Sequence, residues 1–214
     1  MNILYEDNHL LVLNKDAGRV MQEAPGSADD LTSCAKAFIK ERDQKPGGVF
    51  LHAVHRLDKP VSGIAVFAKT QKALERMNRF IREGRFNKIY FALVEGEIPA
   101  SGHLKDYLFH GDHKAVLRNS PQEGYKRAEL TFRRLRQGHG FSLVEINLLT
   151  GRYHQIRAQL SNFGYPIVND DKYGSRIKKA APGICLHHGK VSFPHPVKEE
   201  TLLLECQVPA YFDS

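Results

Sequence analysis

Cysteine is scarce: Cys34, Cys185 and Cys206 are the only three in 214 residues, an odd number with no Cys-x-x-Cys spacing. That count and spacing suggest neither a disulfide framework nor a thiolate metal site, and they point to a reducing compartment. No apolar stretch reaches the roughly 18 residues of a membrane-spanning helix. Residues 1–15 also lack the basic start and long apolar run of a secretory leader. The expectation is a cytoplasmic, soluble protein with no membrane contact. Glycine-rich phosphate loops are missing too, since Gly47-Gly48 and Gly63 match none of the spaced motifs that cradle nucleotides. With no internal repeat, low-complexity tract or linker, one domain is expected over residues 1–214.

What is abundant is positive charge. The chain carries a formal +7 with a pI near 9.3, and the excess is unevenly placed. Residues 1–50 hold six basic against eight acidic side chains, whereas residues 51–100 hold nine against five. Residues 101–150 and 151–214 each carry eight basic residues, against five and six acidic ones. A basic surface that begins partway along the chain suits a phosphate-tracking partner, although a solvated charged face has the same composition. Hydrophobic residues make up 42%, enough for a sizeable core.

Periodicity sets out the elements. Residues 3–8 and 10–14 read as an opening hairpin joined at Asn8-His9. Residues 31–42 space Leu31, Cys34, Ala35, Phe38 and Ile39 at helical intervals, and Gln44-Lys45-Pro46-Gly47-Gly48 ends them. Residues 62–69 form a short apolar run that predicts a buried strand. Thr70 is placed to cap a helix whose stripe is Ala73, Leu74, Met77, Phe80 and Ile81, with Lys72, Arg76, Arg79, Arg82 and Arg85 largely off it and Gly84 as its stop. A second strand is predicted over 87–97. An antiparallel hairpin is predicted from the alternations around Ala128, Leu130 and Phe132 and around Val144, Ile146 and Leu148. A helix follows over 153–162, and residues 172–183 are expected to be a flexible loop. Strands dominate and helices come singly, so the class is α+β with a mixed, largely antiparallel sheet.

One stretch carries chemistry. His55-Arg56-Leu57-Asp58 is followed by Lys59-Pro60-Val61-Ser62-Gly63 and then by the apolar strand. Pro60 and Gly63 bracket the turn and preset its backbone. An Arg-x-Asp turn before a strand is in most proteins a surface ion pair worth about 0–1 kcal/mol. A carboxylate held ionised at such a turn can instead act as nucleophile or base. The histidines at 55, 154, 187, 188 and 195 lack metal-ligand spacing and a cysteine companion, so no metal is expected; His55 and His154 are expected to orient loops by hydrogen bonds.

Three ordered motifs give the turn its context: HRLDKPVSG at 55–63, Lys88-Ile89-Tyr90-Phe91-Ala92-Leu93-Val94, and Thr150-Gly151-Arg152-Tyr153-His154-Gln155-Ile156-Arg157. Gly164-Tyr165-Pro166-Ile167 and Asp171-Lys172-Tyr173-Gly174 follow them, and Leu11-Val12-Leu13-Asn14-Lys15 precedes them. With these motifs the chain resembles the RluA-type pseudouridine synthases over nearly its whole length. It departs at Val61, where the family usually has Thr, and at Asp16, where it usually has Pro.

The resemblance implies a bifurcated sheet with flanking helices and a central RNA-binding cleft, and conversion of uridine in RNA to pseudouridine with no cofactor. It implies that Asp58 is the catalytic carboxylate, either attacking C1′ or taking a proton from C2′. Arg157 is implied as its cation, with Arg152 in a supporting place, and Tyr90 as the residue packing against the target base. Arg56 is implied to fill the space left by the flipped base, and His55, Arg152, His154 and Gln155 are grouped with it on the RNA side. The partner is then a structured ribosomal or transfer RNA stem-loop, read by a monomer without an N-terminal S4 domain; no DNA is expected. Two other readings share parts of this pattern. One is a non-catalytic RNA-binding or RNA-chaperone module. The other is a nucleoside glycosidase, which needs a second acid such as Asp106, Asp170 or Asp171.

Overall fold

The structure, a computed structural model, describes residues 1–22 and 30–212. The chain forms two compact units, residues 1–86 with 189–207, and residues 87–188 with the residues from 208 onward.

The first unit opens on the expected hairpin, β1 (Ile3–Glu6) and β2 (Leu10–Lys15). Asp7 shapes its turn, its carboxylate accepting from the backbone N–H of His9 and of Leu10 at 2.8 Å each. Asp30 caps α1 (Leu31–Arg42), its carboxylate accepting from Ser33 N at 3.0 Å. A two-residue strand β3 (His52–Ala53) and the fully buried β4 (Ser62–Ala68) follow. β2 runs antiparallel to β4 along its length, from Leu10 opposite Ala68 to Lys15 opposite Gly63. Thr70 caps α2 (Gln71–Arg82) by accepting from Ala73 N, as the pattern predicts, and Gly84 takes a left-handed φ of 69° just beyond its end.

Alternation decides which side chains enter this unit's core. Leu10 and Val12 from β2 and Ile64, Val66 and Ala68 from β4 meet Ala73, Met77 and Phe80 of α2. Each large side chain so buried is worth about 1.5–3 kcal/mol. Phe86 stacks on Phe193 at 5.1 Å between ring centroids.

The second unit is built of antiparallel pairs: β5 (Asn87–Glu95), β6 (Ser101–His110), β7 (Ala115–Arg118), β8 (Lys126–Gln137) and β9 (Phe141–Leu148), ordered β5-β9-β8-β6-β7. β8 and β9 are the expected hairpin. The β6–β7 hairpin has no counterpart in the sequence expectations, because of the ten β6 residues only Leu108 is buried and the sequence shows no sustained apolar alternation.

The last helix, α3 (Gln155–Asn162), begins two residues later than expected because His154 stands in the left-handed region at φ 52°. Its first six residues are all buried, so this helix has no solvent-exposed face over that length. β10 (Leu186–Pro194) contributes its residues from Gly189 onward to the first unit, where it pairs antiparallel with β11 (Thr201–Glu205).

Residues 172–183, expected to be flexible, are irregular but tied down. The Glu95 carboxylate oxygen Oε1 accepts from Ser175 Oγ, Arg176 N and Ile177 N at 2.6–2.7 Å, and Asn169 reaches the carbonyls of Lys179 and Gly183. The three helices and the many-stranded, largely antiparallel pairing are the α+β class read from the sequence.

Candidate active site

In the first unit the turn bearing Asp58 is held at three points. Val54 donates its N–H to the carbonyl of Val66 at 2.9 Å, continuing the β3–β4 ladder. The return hydrogen bond leaves the ladder, since Val66 N donates to His55 Nε2 at 3.3 Å. The imidazole therefore stands in for a backbone carbonyl where the chain departs from β4. Val61 N then closes a tight turn onto the carbonyl of Asp58 at 3.0 Å. The carbonyl of Lys59 accepts from Gly18 N at 2.8 Å and from Lys15 Nζ at 3.2 Å, joining the turn to the end of β2. Gly63, at φ 114°, permits a backbone that L side chains rarely adopt.

Asp58 itself is half-buried, and Arg56 is exposed. Beside them lies Lys15, 1% exposed, its ammonium also donating to the carbonyls of Asp16 at 2.9 Å and Arg19 at 2.8 Å. Burial pushes Lys15 down to about 8, while the carboxylates of Asp16 and Asp58 pull it back up. In the sequence Lys15 stands only as part of the opening motif; a lysine at the end of an otherwise apolar strand is the one signal of its place here.

The second unit holds the remaining candidates. Tyr90 is buried on β5 and stacks on His188 at 4.5 Å. Arg157, on α3, makes a bidentate pair with Asp170, Nε to Oδ2 at 2.7 Å and Nη2 to Oδ1 at 2.9 Å. Its guanidinium also lies 5.0 Å from the ring centre of Tyr173. Tyr173 accepts from Ala115 N at 2.8 Å and faces His154 Nδ1 at 3.0 Å; burial raises its phenol to about 12, so it stays neutral.

Gln155 is buried, and its amide is spent inside the chain. Its oxygen accepts from Thr150 Oγ1 and Arg152 N, and its nitrogen donates to the carbonyl of Glu129. Arg152 is exposed and donates through Nε to the carbonyl of Arg127 at 2.9 Å. The sequence gives no sign of these roles for Asp170 and Tyr173, because nothing in their spacing foretells a partner on a helix more than ten residues earlier.

The acids that a glycosidase reading requires are engaged elsewhere. Asp170 holds Arg157, Asp106 accepts from Gln159 Nε2 at 2.6 Å, and Asp171 pairs with Lys178. Among the described residues no three His, Cys, Asp or Glu side chains gather as a metal site, and no helix is long and apolar enough to cross a membrane.

The fold is one shared with solved pseudouridine synthase structures. Human RNA pseudouridylate synthase domain containing 4 matches 99% of this chain and 90% of its own, with a TM-score of 0.81 at 23% identity. The corresponding human domain containing 1 matches 96% of this chain and 82% of its own, with a TM-score of 0.76 at 24% identity.

The chain belongs to the RNA pseudouridylate synthase family, whose model matches residues 9–162. It is 33% identical over 205 residues to ribosomal large subunit pseudouridine synthase C of Vibrio parahaemolyticus, covering 92% of this chain and 62% of that protein. It is 34% identical over 218 residues to the protein of the same name in Escherichia coli, covering 95% of this chain and 65% of the other. An uncharacterized RNA pseudouridine synthase of Synechocystis is 33% identical over 224 residues, with 100% and 67% covered. The chain thus spans roughly two thirds of the length of these relatives.

Proposed function

We propose that this chain isomerises uridine in RNA to pseudouridine, with Asp58 as the reactive carboxylate. The observation that supports it most is the setting of Asp58 within a family of pseudouridylate synthases: a half-buried acid on a turn anchored through His55, Gly18 and Lys15. Such anchoring serves a carboxylate that must meet a sugar carbon at a defined angle. In the reaction the N1–C1′ bond breaks, the base turns over, and the C5–C1′ bond forms. The proton leaves C5 and N1 gains one, so no outside electrons or atoms are consumed.

Asp58 begins the sequence by attacking C1′ or by deprotonating C2′, and in either role it must be ionised. Arg157, its guanidinium fixed by Asp170, is the basic residue of the proposed site, and Tyr90 packs against the target base. The uridine must first leave its stack, at a cost of a few kcal/mol, and exposed Arg56 takes the vacated place. Arg152, His154 and Gln155 shape the segment that presents Arg157. The relatives named for the large ribosomal subunit make ribosomal RNA the first substrate to test, with transfer RNA stem-loops second.

The test uses RNA carrying tritium at uridine C5. Wild-type protein is expected to release label, and Asp58→Asn is expected to release essentially none while still binding the RNA. No release from total bacterial RNA by the wild type, or undiminished release by Asp58→Asn, overturns the proposal.

A further inference from the structure

Lys88 is a half-buried cation for which the chemistry above has no use. It stands two residues before Tyr90 on β5, so the two side chains leave the same face of the strand. Lys88 is half-buried, and its ammonium has no carboxylate, carbonyl or hydroxyl partner among the described residues. The other withdrawn cations differ. Arg157 has Asp170, Lys69 has Glu6, and Lys15 has three carbonyls. Burial alone lowers Lys88 to about 8, which leaves it charged at neutral pH. A partly desolvated charge without a counter-ion is costly, and a protein that keeps one gains most where a ligand brings the anion.

The neighbour of that ammonium is Gly151, the second residue of the segment leading to Arg157. A Cβ built at Gly151 would sit 3.0 Å from Lys88 Nζ. The absence of a side chain at Gly151 leaves room for the ammonium, which lies between the strand of Tyr90 and the loop of exposed Arg152. An ammonium is a compact point charge with three donors, which suits a single phosphate oxygen better than a planar carboxylate fork.

We infer that Lys88 is a phosphate-binding residue, its ammonium pairing with a phosphodiester of the bound RNA next to the uridine that Tyr90 receives. The inference rests on the proposed function in that the ligand is RNA. It adds an anchoring contact that neither the motifs nor the relatives' names assign.

The experiment measures binding of a uridine-containing RNA stem-loop across a salt series for wild type, Lys88→Met and Gly151→Ala, each first checked for wild-type unfolding behaviour. Lys88→Met is expected to weaken binding roughly tenfold, the scale of one charge-assisted hydrogen bond. It should also make the slope of log affinity against log salt shallower by about 0.7–0.9, the loss of one phosphate contact. Gly151→Ala, whose Cβ would crowd the ammonium by a few tenths of an ångström, should shift both quantities in the same direction by less. It keeps the inference testable if Lys88→Met does not fold.

A scan of single methylphosphonate substitutions then locates the contact. One position should weaken wild type and leave Lys88→Met unaffected. Equal slopes for wild type and both variants, or a scan that affects wild type and Lys88→Met alike, overturns the inference. If wild type binds RNA with the expected slope change yet releases no tritium, Lys88 keeps its role and the isomerase reading is the one that fails. Tritium release with unchanged slopes removes Lys88 alone.

Discussion

Arg157 and Asp170 are locked face to face by two parallel hydrogen bonds, with 5% and 1% of their side chains exposed. Removing one partner of such a pair leaves an uncompensated charge in the interior, which costs about 3–5 kcal/mol. Asp170→Ala is therefore expected to lower unfolding stability by about that amount in urea titration. A double variant, Arg157→Met with Asp170→Leu, should regain most of the loss, because no charge is then stranded. A single-variant loss below about 1 kcal/mol would place the pair with ordinary surface ion pairs.

Glu95 holds the 175–177 segment through one oxygen and three donors. Glu95→Ala should free that loop while the ladder joining β5 to β9 persists. Limited tryptic digestion reads this directly, since Arg176, Lys178 and Lys179 lie in the released stretch. Cleavage there is expected to accelerate well before the rest of the chain is cut. An unchanged digestion pattern would show that the contacts of this stretch with Asn169, Asp170 and Asp171 secure it without Glu95.

Acid sensitivity is expected to originate partly at Glu6. Hydrogen bonds from Arg42, at 2.7 and 2.8 Å, and from Lys69, at 2.7 Å, hold its carboxyl at about 2 against an ordinary 4.5, with burial opposing them. The native state thus resists the proton that the unfolded chain accepts. Stability from this group is complete above about pH 4.5 and is lost as the pH falls towards 2. Glu6→Gln should be less stable than wild type at neutral pH and should show a shallower decline over that acid range. Parallel stability curves for the two proteins would contradict the assignment.

The parts legible in the sequence are those where local chemistry and burial agree. The stripe of α2, its Thr70 cap and the buried run of β4 each follow from spacing alone. The turn bearing Asp58 was legible from Pro60 and Gly63, whereas the imidazole that fastens it was visible only as a loop-orienting histidine. The β6–β7 hairpin was missed because its strands are mostly exposed and gain their order from partners such as β8. For α3 the buried register hid the helix face, and left-handed His154 moved its start. Long-range polar pairs such as Arg157 with Asp170 leave no periodic trace, so the site's supporting residues could be found only in three dimensions.

The carbonyl of Lys59 accepts from residues 15 and 18, more than forty positions earlier in the chain. The turn bearing Asp58 is thereby built as an extension of the opening hairpin's last strand. A substitution at Gly18 or Lys15 would then disturb Asp58 without touching it, so the footprint of the candidate site begins well before its signature motif. Engineering that treats residues 10–18 as a dispensable lead-in would loosen the carboxylate it meant to preserve.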